Sequence, residues 1–372
     1  QRGLKNPQQP ADGDEVQDES SQIRGPICGD SVATYISAIV ASALEKFFNS
    51  VISILAAKSF YPKLIHALLD SSEIQSTEKC QGCGKVTKEK APNLRLRKGR
   101  IRKVLETVFG FKIWLDWDPN SKLPLAIRFT TIEVNDTQMA KEVVQQAIIN
   151  VGSHATIASL AFDRGFIDGP FMWWLNKTGI KFYVPAKTNM AVYKDALALA
   201  AEGIRQTREE IRSVGHGKNK HTVTDHWDVV GVEALTTAGF YGEQGSGSHE
   251  HRNDFIPNPI NAVVVLHDPY MEKHPKSDPL VILTNATVSH PLDPYDAYDQ
   301  RSEIENSMFR EAKQAWFIQR PAKNTADAFR AHTYLTIIVM ALTTAFQIWM
   351  ASQDKLQQQG KETGIRKFRE QV

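Results

Sequence analysis

Two aspartates stand where apolar runs stop. Asp70 ends the run Lys63–Asp70 (KLIHALLD), and Asp163 directly follows the run Ile157–Phe162. An acidic side chain at the end of a strand lies where the ligands of an open sheet gather. Two such carboxylates on neighbouring strands repel each other, and both stay ionised only with cations between them. Mg2+ suits that arrangement, because it takes a few carboxylates and completes its shell with waters and phosphate oxygens. Two ions about 3.5–4 Å apart can activate a water and stabilise the leaving oxygen of a phosphodiester. A helix expected over 297–319 would bring a third carboxylate. By position alone, the commoner reading of a strand-end Asp is an ordinary loop residue.

Cys80-Gln81-Gly82-Cys83 is a lone CxxC. Structural zinc needs four ligands, and His216, His221, His226, His249 and His251 lie far along the chain in loop-like sequence. A zinc site is therefore not expected. Three cysteines in 372 residues exclude a disulfide scaffold and fit a reducing compartment. The net charge of +2 announces no polyanion partner, so any such contact must come from local basic segments. No secretory signal opens the chain, and its start on Gln1 leaves room for residues upstream.

The elements that must carry the aspartates follow from pattern. Helical spacing recurs between Ser31 and Ala57. Lys63–Asp70 reads as a buried strand. Phe111–Trp117 and Leu123–Val134 form a hairpin around the turn residues Asp118-Pro119-Asn120-Ser121. Asp136 is placed to cap a helix running to about Asn150. Ile157–Phe162 is a strand, a short helix carries Trp173, Trp174 and Leu175, and Lys181–Val184 is a strand stopped by Pro185. The stretch 191–291 is rich in Gly, His and Asn, and its clearest elements are Ala262–Leu266 and Leu280–Leu283. Two helices, 297–319 and 324–352, follow. This is a mixed α/β sheet rather than a parallel one. Thr333–Met350 is an 18-residue stretch without a charge, the lower limit of a membrane span. Its interrupting Thr and Gln residues favour a core helix. Trp173 and Trp174 are read as core rather than base-stacking residues. Trp227 could stack on a flipped base, with a packed strand residue the stronger reading.

Three segments resemble the acidic motifs of DDE transposases of bacterial insertion sequences. LLDSSEIQSTEKCQGCGKVTK resembles the first, with Asp70 as its acid. AFDRGFIDGPFMWWLNKTGIKFYVPAK resembles the second, with Asp163. YDQRSEIENSMFREAKQAW resembles the third, with the Tyr-Arg-Glu-Lys signature of one large branch at Tyr298, Arg301, Glu305 and Lys313. The likeness runs from about Ser59 to Ala345. Glu303 fits the third motif less well than Glu305. Seven residues separate Glu305 from Lys313, one more than the usual signature. At about 100° per residue, that spacing turns Lys313 about 80° from the Glu305 face of a regular helix.

The resemblance implies a ribonuclease H-like catalytic core with a long β-containing insertion between the second Asp and the Glu. On that division residues 1–30 are a disordered tail and 31–57 a helical segment. Residues 58–190 and 294–352 form the two parts of the core, 191–293 the insertion, and 353–372 a basic tail. It also implies two Mg2+ ions, replaceable by Mn2+, held by Asp70, Asp163 and Glu305. These would support cleavage at transposon ends and attack of the freed 3′-OH on target DNA. Tyr298, Arg301 and Lys313 would contact DNA. Partners would be the transposon ends, the target, and a second copy on paired ends, with no membrane, in the cytoplasm at the nucleoid. The basic run from Lys85 to Lys103 includes Lys88, Lys90, Arg95, Arg97, Lys98, Arg100, Arg102 and Lys103, with Glu89 its only acid. It is expected to grip phosphates beside the cut. The alternatives are a truncated or inactive copy that only binds DNA, and a ribonuclease H-like nuclease without strand transfer.

Overall fold

The computed structural model describes residues 31, 34–36, 38–89, 105–215, 220–237, 259–275 and 277–352. Within them, ten strands form one mixed sheet. The strands are β1 (Leu64–Ser76), β2 (Gly84–Glu89), β3 (Leu105–Asp118), β4 (Leu123–Thr131), β5 (Thr156–Phe162), β6 (Lys181–Pro185), β7 (Ile204–Val214), β8 (His221–Leu235), β9 (Ile260–His267) and β10 (Leu280–Thr284). Their order is β2-β3-β1-β5-β6-β10-β9-β8-β7, with β4 also paired to β3. Only the β1–β5 and β5–β6 pairs are parallel; the other pairings are antiparallel. This mixed α/β architecture is consistent with the ribonuclease H-like core expected.

β1 does not stop at Asp70. It continues to Ser76, paired with β3 from Leu68↔Trp117 to Ser76↔Phe109. The apolar run ends at Asp70 because β1 loses its parallel neighbour there: the last β1–β5 pair is Leu69↔Phe162. Beyond it one edge of β1 is open, and polar residues take over. β3 in turn exchanges partners at Gly110, pairing β2 before it and β4 after it. A Cβ at Gly110 would meet the Ile74 carbonyl oxygen at 2.3 Å, and its φ is +155°. Only glycine lets the backbones approach so closely there.

Helices α1 (Ala41–Ala57), α2 (Asp136–Val151) and α8 (Ala326–Ser352) cover the β3–β4 side. The helix expected from Ser31 breaks before α1 at an extended Val40. Phe48 of α1 meets Tyr334 of α8 edge-on at 6.1 Å, and both are fully buried. Asp136 is not the cap of α2. Asn135 is, and its N–H donates to Gln138 Oε1 at 3.3 Å. Among the described residues α8 alone is long and apolar enough to cross a membrane. Its face bearing Thr333, Tyr334, Ile337, Ile338, Ala341 and Ala345 is instead packed into the core, as a core helix requires.

Between Asp163 and Glu305 lie α3 (Gly169–Lys177), α4 (Ala191–Leu199), the β7–β10 ribbon and a short α5 (Pro269–Lys273). These insertion strands extend the core sheet itself, since β10 pairs with β6. The third-motif helix is not one rod. α6 (Leu292–Asp299) ends before Arg301, a π-helical turn covers Ile304–Phe309, and α7 (Arg310–Gln314) follows.

Candidate functional site

The Leu69↔Phe162 pair is the last rung between β1 and β5, so Asp70 and Asp163 occupy the next position on each strand. There the two strands part, and the third-motif helix crosses the opening against β1. The result is a cavity of about 490 Å³. Four acids line it: Asp70, Asp136, Asp163 and Glu305. Arg301, Arg310 and Lys313 line it as well. The acids of the three sequence motifs, 93 and 142 residues apart along the chain, therefore face one space.

The Asp70 side chain is only 13% exposed. Its Oδ1 accepts the Ser71 N–H at 2.7 Å, and its Oδ2 accepts from Arg301 Nη1 at 3.3 Å. Burial raises its pKa from 3.8 to about 6; Asp163 and Glu305 add to the rise, while Arg301 and the Ser71 N–H oppose it. Burial alone would lower the Arg301 pKa, but Tyr298, Asp70 and Asp163 more than reverse this, and it is raised. The guanidinium stands 6.0 Å from the centre of the Tyr298 ring. Burial also raises the Tyr298 phenol. Burial lowers the Lys313 ammonium, with Glu73, Glu305 and Asp70 drawing it back.

The π-helical turn corrects the expected offset of Lys313. The Arg310 N–H reaches the Glu305 carbonyl, five residues back rather than four. Such a widened turn absorbs one extra residue without rotating the faces beyond it. Lys313 consequently shares the cavity with Glu305 despite the longer spacing. Arg310, which regular helical spacing would turn about 140° from Glu305, is brought round with it. Arg310 and Asp136 escaped the sequence reading. The available signal for Asp136 was Asn135: a residue already able to cap the helix leaves its neighbour free.

No group of three or more His, Cys, Asp or Glu side chains among the described residues is drawn close enough to hold a metal ion. The three acids share the cavity without forming a closed cluster, and Arg301 supplies the positive charge beside Asp70. The donor set still fits hard divalent cations, being carboxylate oxygens on an open cavity.

Other expectations resolve differently. Lys88 of β2 pairs with Glu73 of β1, so it is engaged within the sheet. Lys90 and the run Arg95, Arg97, Lys98, Arg100, Arg102 and Lys103 lie outside the described residues. Trp227 is a packed strand residue: its Nε1 donates to the Tyr295 hydroxyl at 3.1 Å, and Arg208 lies 4.5 Å over its ring. Trp173 and Trp174 are only partly buried and line a smaller hollow of about 230 Å³ with Lys141. Cys80 and Cys83 lie in the β1–β2 turn, where Gln81 bridges to Thr325 at the start of α8.

A family model described as "Transposase DDE domain" matches residues 62–342. No curated protein matches the chain. Among solved structures, that of the piggyBac transposase synaptic complex with hairpin DNA aligns with a TM-score of 0.36 and 9% identity. The alignment covers 84% of this chain, which spans 57% of that one. The match of the family model across three quarters of the sequence places the chain in the DDE transposase family.

Proposed function

We propose that the chain is an active transposase of the insertion-sequence type. It would cleave DNA at transposon ends and join the freed 3′-OH to target DNA. The observation that carries this reading is the convergence of Asp70, Asp163 and Glu305 on one cavity together with Arg301 and Lys313. Asp70, Asp163 and Glu305 would hold two Mg2+ ions, with Mn2+ able to substitute. Bound there, the ions supply Lewis-acid stabilisation of the phosphate and an activated oxygen nucleophile.

The chain's own residues do the rest. Arg301, which pairs with Asp70 here, would turn its fork to the scissile phosphate, which a guanidinium can hold in a bidentate way. Lys313 and Arg310 offset the charge of the flanking phosphates. Tyr298 supports the Arg301 guanidinium. The basic run ending at Lys103 holds DNA next to the cut. The working unit on paired ends is a homodimer, acting in the cytoplasm on nucleoid DNA.

The test is a cleavage and strand-transfer assay with duplexes carrying candidate terminal inverted repeats. Activity should require Mg2+ or Mn2+ and vanish in Asp70→Asn, Asp163→Asn and Glu305→Gln. Cleavage that survives these three substitutions would move the chemistry elsewhere. Cutting without joining would reduce the protein to a nuclease.

A further inference from the structure

We propose that Asp136 is a positioning residue of the cavity. It holds Ser71 and, through Ser71, sets the direction in which Asp70 offers its carboxylate to a divalent cation. This rests on the metal-dependent reading above.

The argument starts from one oxygen. Asp136 Oδ1 accepts from Ser71 Oγ at 2.8 Å, from Trp114 Nε1 at 3.1 Å and from Lys112 Nζ at 3.2 Å. The donors come from β1 and β3, the acceptor from the first residue of α2. Three donors on one carboxylate oxygen exceed what a helix start needs, and Asn135 already caps that helix. Trp114 is fully buried, and the side chains of Lys112 and Asp136 are only 13% and 24% exposed. The network is thus shielded from water, where charge-assisted hydrogen bonds are strong.

Asp70 joins this network directly, and the segment after Asp163 lies against it. Ser71, fixed by its hydroxyl to Asp136, donates its N–H to Asp70 Oδ1. The other Asp136 oxygen faces Gly165, two residues after Asp163, where an added Cβ would come within 3.2 Å. Asp136 stands between the two chain segments that present the acids. Groups that bind a metal-ligating carboxylate from behind fix its orientation and govern its affinity for the ion. Lys112 balances the Asp136 charge, so Asp136 orients Ser71 without itself needing a cation.

The experiment measures Mn2+ binding to the whole chain without DNA, from the electron paramagnetic resonance signal of the free ion. Wild type should bind through Asp70, as shown by loss of that binding in Asp70→Asn. Asp136→Ala and Ser71→Ala should each weaken binding about 10–100-fold. The double variant should be no weaker than the worse single one, because both act along one path. Asp136→Asn, which keeps an acceptor oxygen, should bind more tightly than Asp136→Ala. A purely structural role would lower the melting temperature and leave the Mn2+ affinity unchanged. That result, in variants with native circular dichroism, overturns the proposal. Ser71→Ala removes one hydroxyl and carries the test if Asp136→Ala does not fold. Absence of Asp70-dependent Mn2+ binding in wild type would instead sink the metal-dependent reading, and this inference with it.

Discussion

Arg301 Nη1 lies 3.3 Å from Asp70 Oδ2, so the guanidinium is the counter-ion of the carboxylate in the cavity. Both side chains are largely withdrawn from water, at 18% and 13% exposure. On the metal-dependent reading proposed above, a divalent cation would take the place of this counter-ion.

Replacing Arg301 should therefore act twice. Arg301→Ala should lower cleavage and joining by about 10²–10³-fold, the usual loss for one preorganised transition-state contact. It should also move the acid limb of the pH–rate profile upward, because Asp70 loses the charge that lowers its pKa. Arg301→Lys should restore the position of the limb more than the rate, since an ammonium lacks the fork. Wild-type rates in Arg301→Ala would remove it from the reaction.

Asp70 should make the metal-free protein less stable at neutral pH. Its folded-state pKa is raised from 3.8 to about 6. A carboxyl shifted upward favours folding when protonated; that contribution is complete below about pH 4 and is lost as pH rises through about 6. The ionised group then costs about 3 kcal/mol. Asp70→Asn should be more stable than wild type in urea at about pH 8, with the difference closing near pH 4. Added Mg2+ should stabilise wild type by mass action and leave the variant unchanged. Equal stabilities at both pH values would contradict the burial of this charge.

The cations should separate by salt dependence. Lys313→Gln should flatten the slope of log affinity against log salt by about one unit on duplex DNA. Neutralising Arg95, Arg97, Lys98, Arg100, Arg102 and Lys103 together should flatten it several-fold more and weaken binding to all sequences alike. Isotherms at several salt concentrations measure both. An unchanged slope would take that residue or segment off the DNA.

Gly110→Ala probes the exchange of partners in β3. Its Cβ would stand 2.3 Å from the Ile74 carbonyl oxygen, and overpacking of this kind costs about 1–3 kcal/mol. A lower denaturation midpoint with an unchanged m value is expected. A midpoint equal to wild type would mean that β1 and β3 can move apart without loss.

Pattern alone located the strands that carry the acids. Ile157–Phe162 and the hairpin around Asp118-Pro119-Asn120-Ser121 announce themselves by apolar runs and turn residues, and both appear within a few residues of expectation. β7 was not legible, because an edge strand reading IRQTREEIRSV is exposed on most positions and has no buried face to set a period of two. Asp136 was hidden by its own chemistry: an Asp at a helix start satisfies the capping pattern whether or not it caps. The joint position of Asp70, Asp163 and Glu305 depends on which strands are neighbours, and that is settled by packing across distant segments.

The widened turn at Ile304–Phe309 has a consequence for how the chain tolerates change in length. A regular helix given one extra residue loses phase, and every charge beyond the insertion swings to a new face. Here the surplus residue is stored as slack in the backbone, in a turn that begins around Glu305 and ends before Lys313. Removing a residue such as Ser307 has somewhere to go: the turn can tighten to α-helical pitch, leaving Glu305 and Lys313 seven steps and about 20° apart. Adding a residue has no such outlet, because the slack is already taken up. The helix should therefore accept shortening by one at this point and reject lengthening by one.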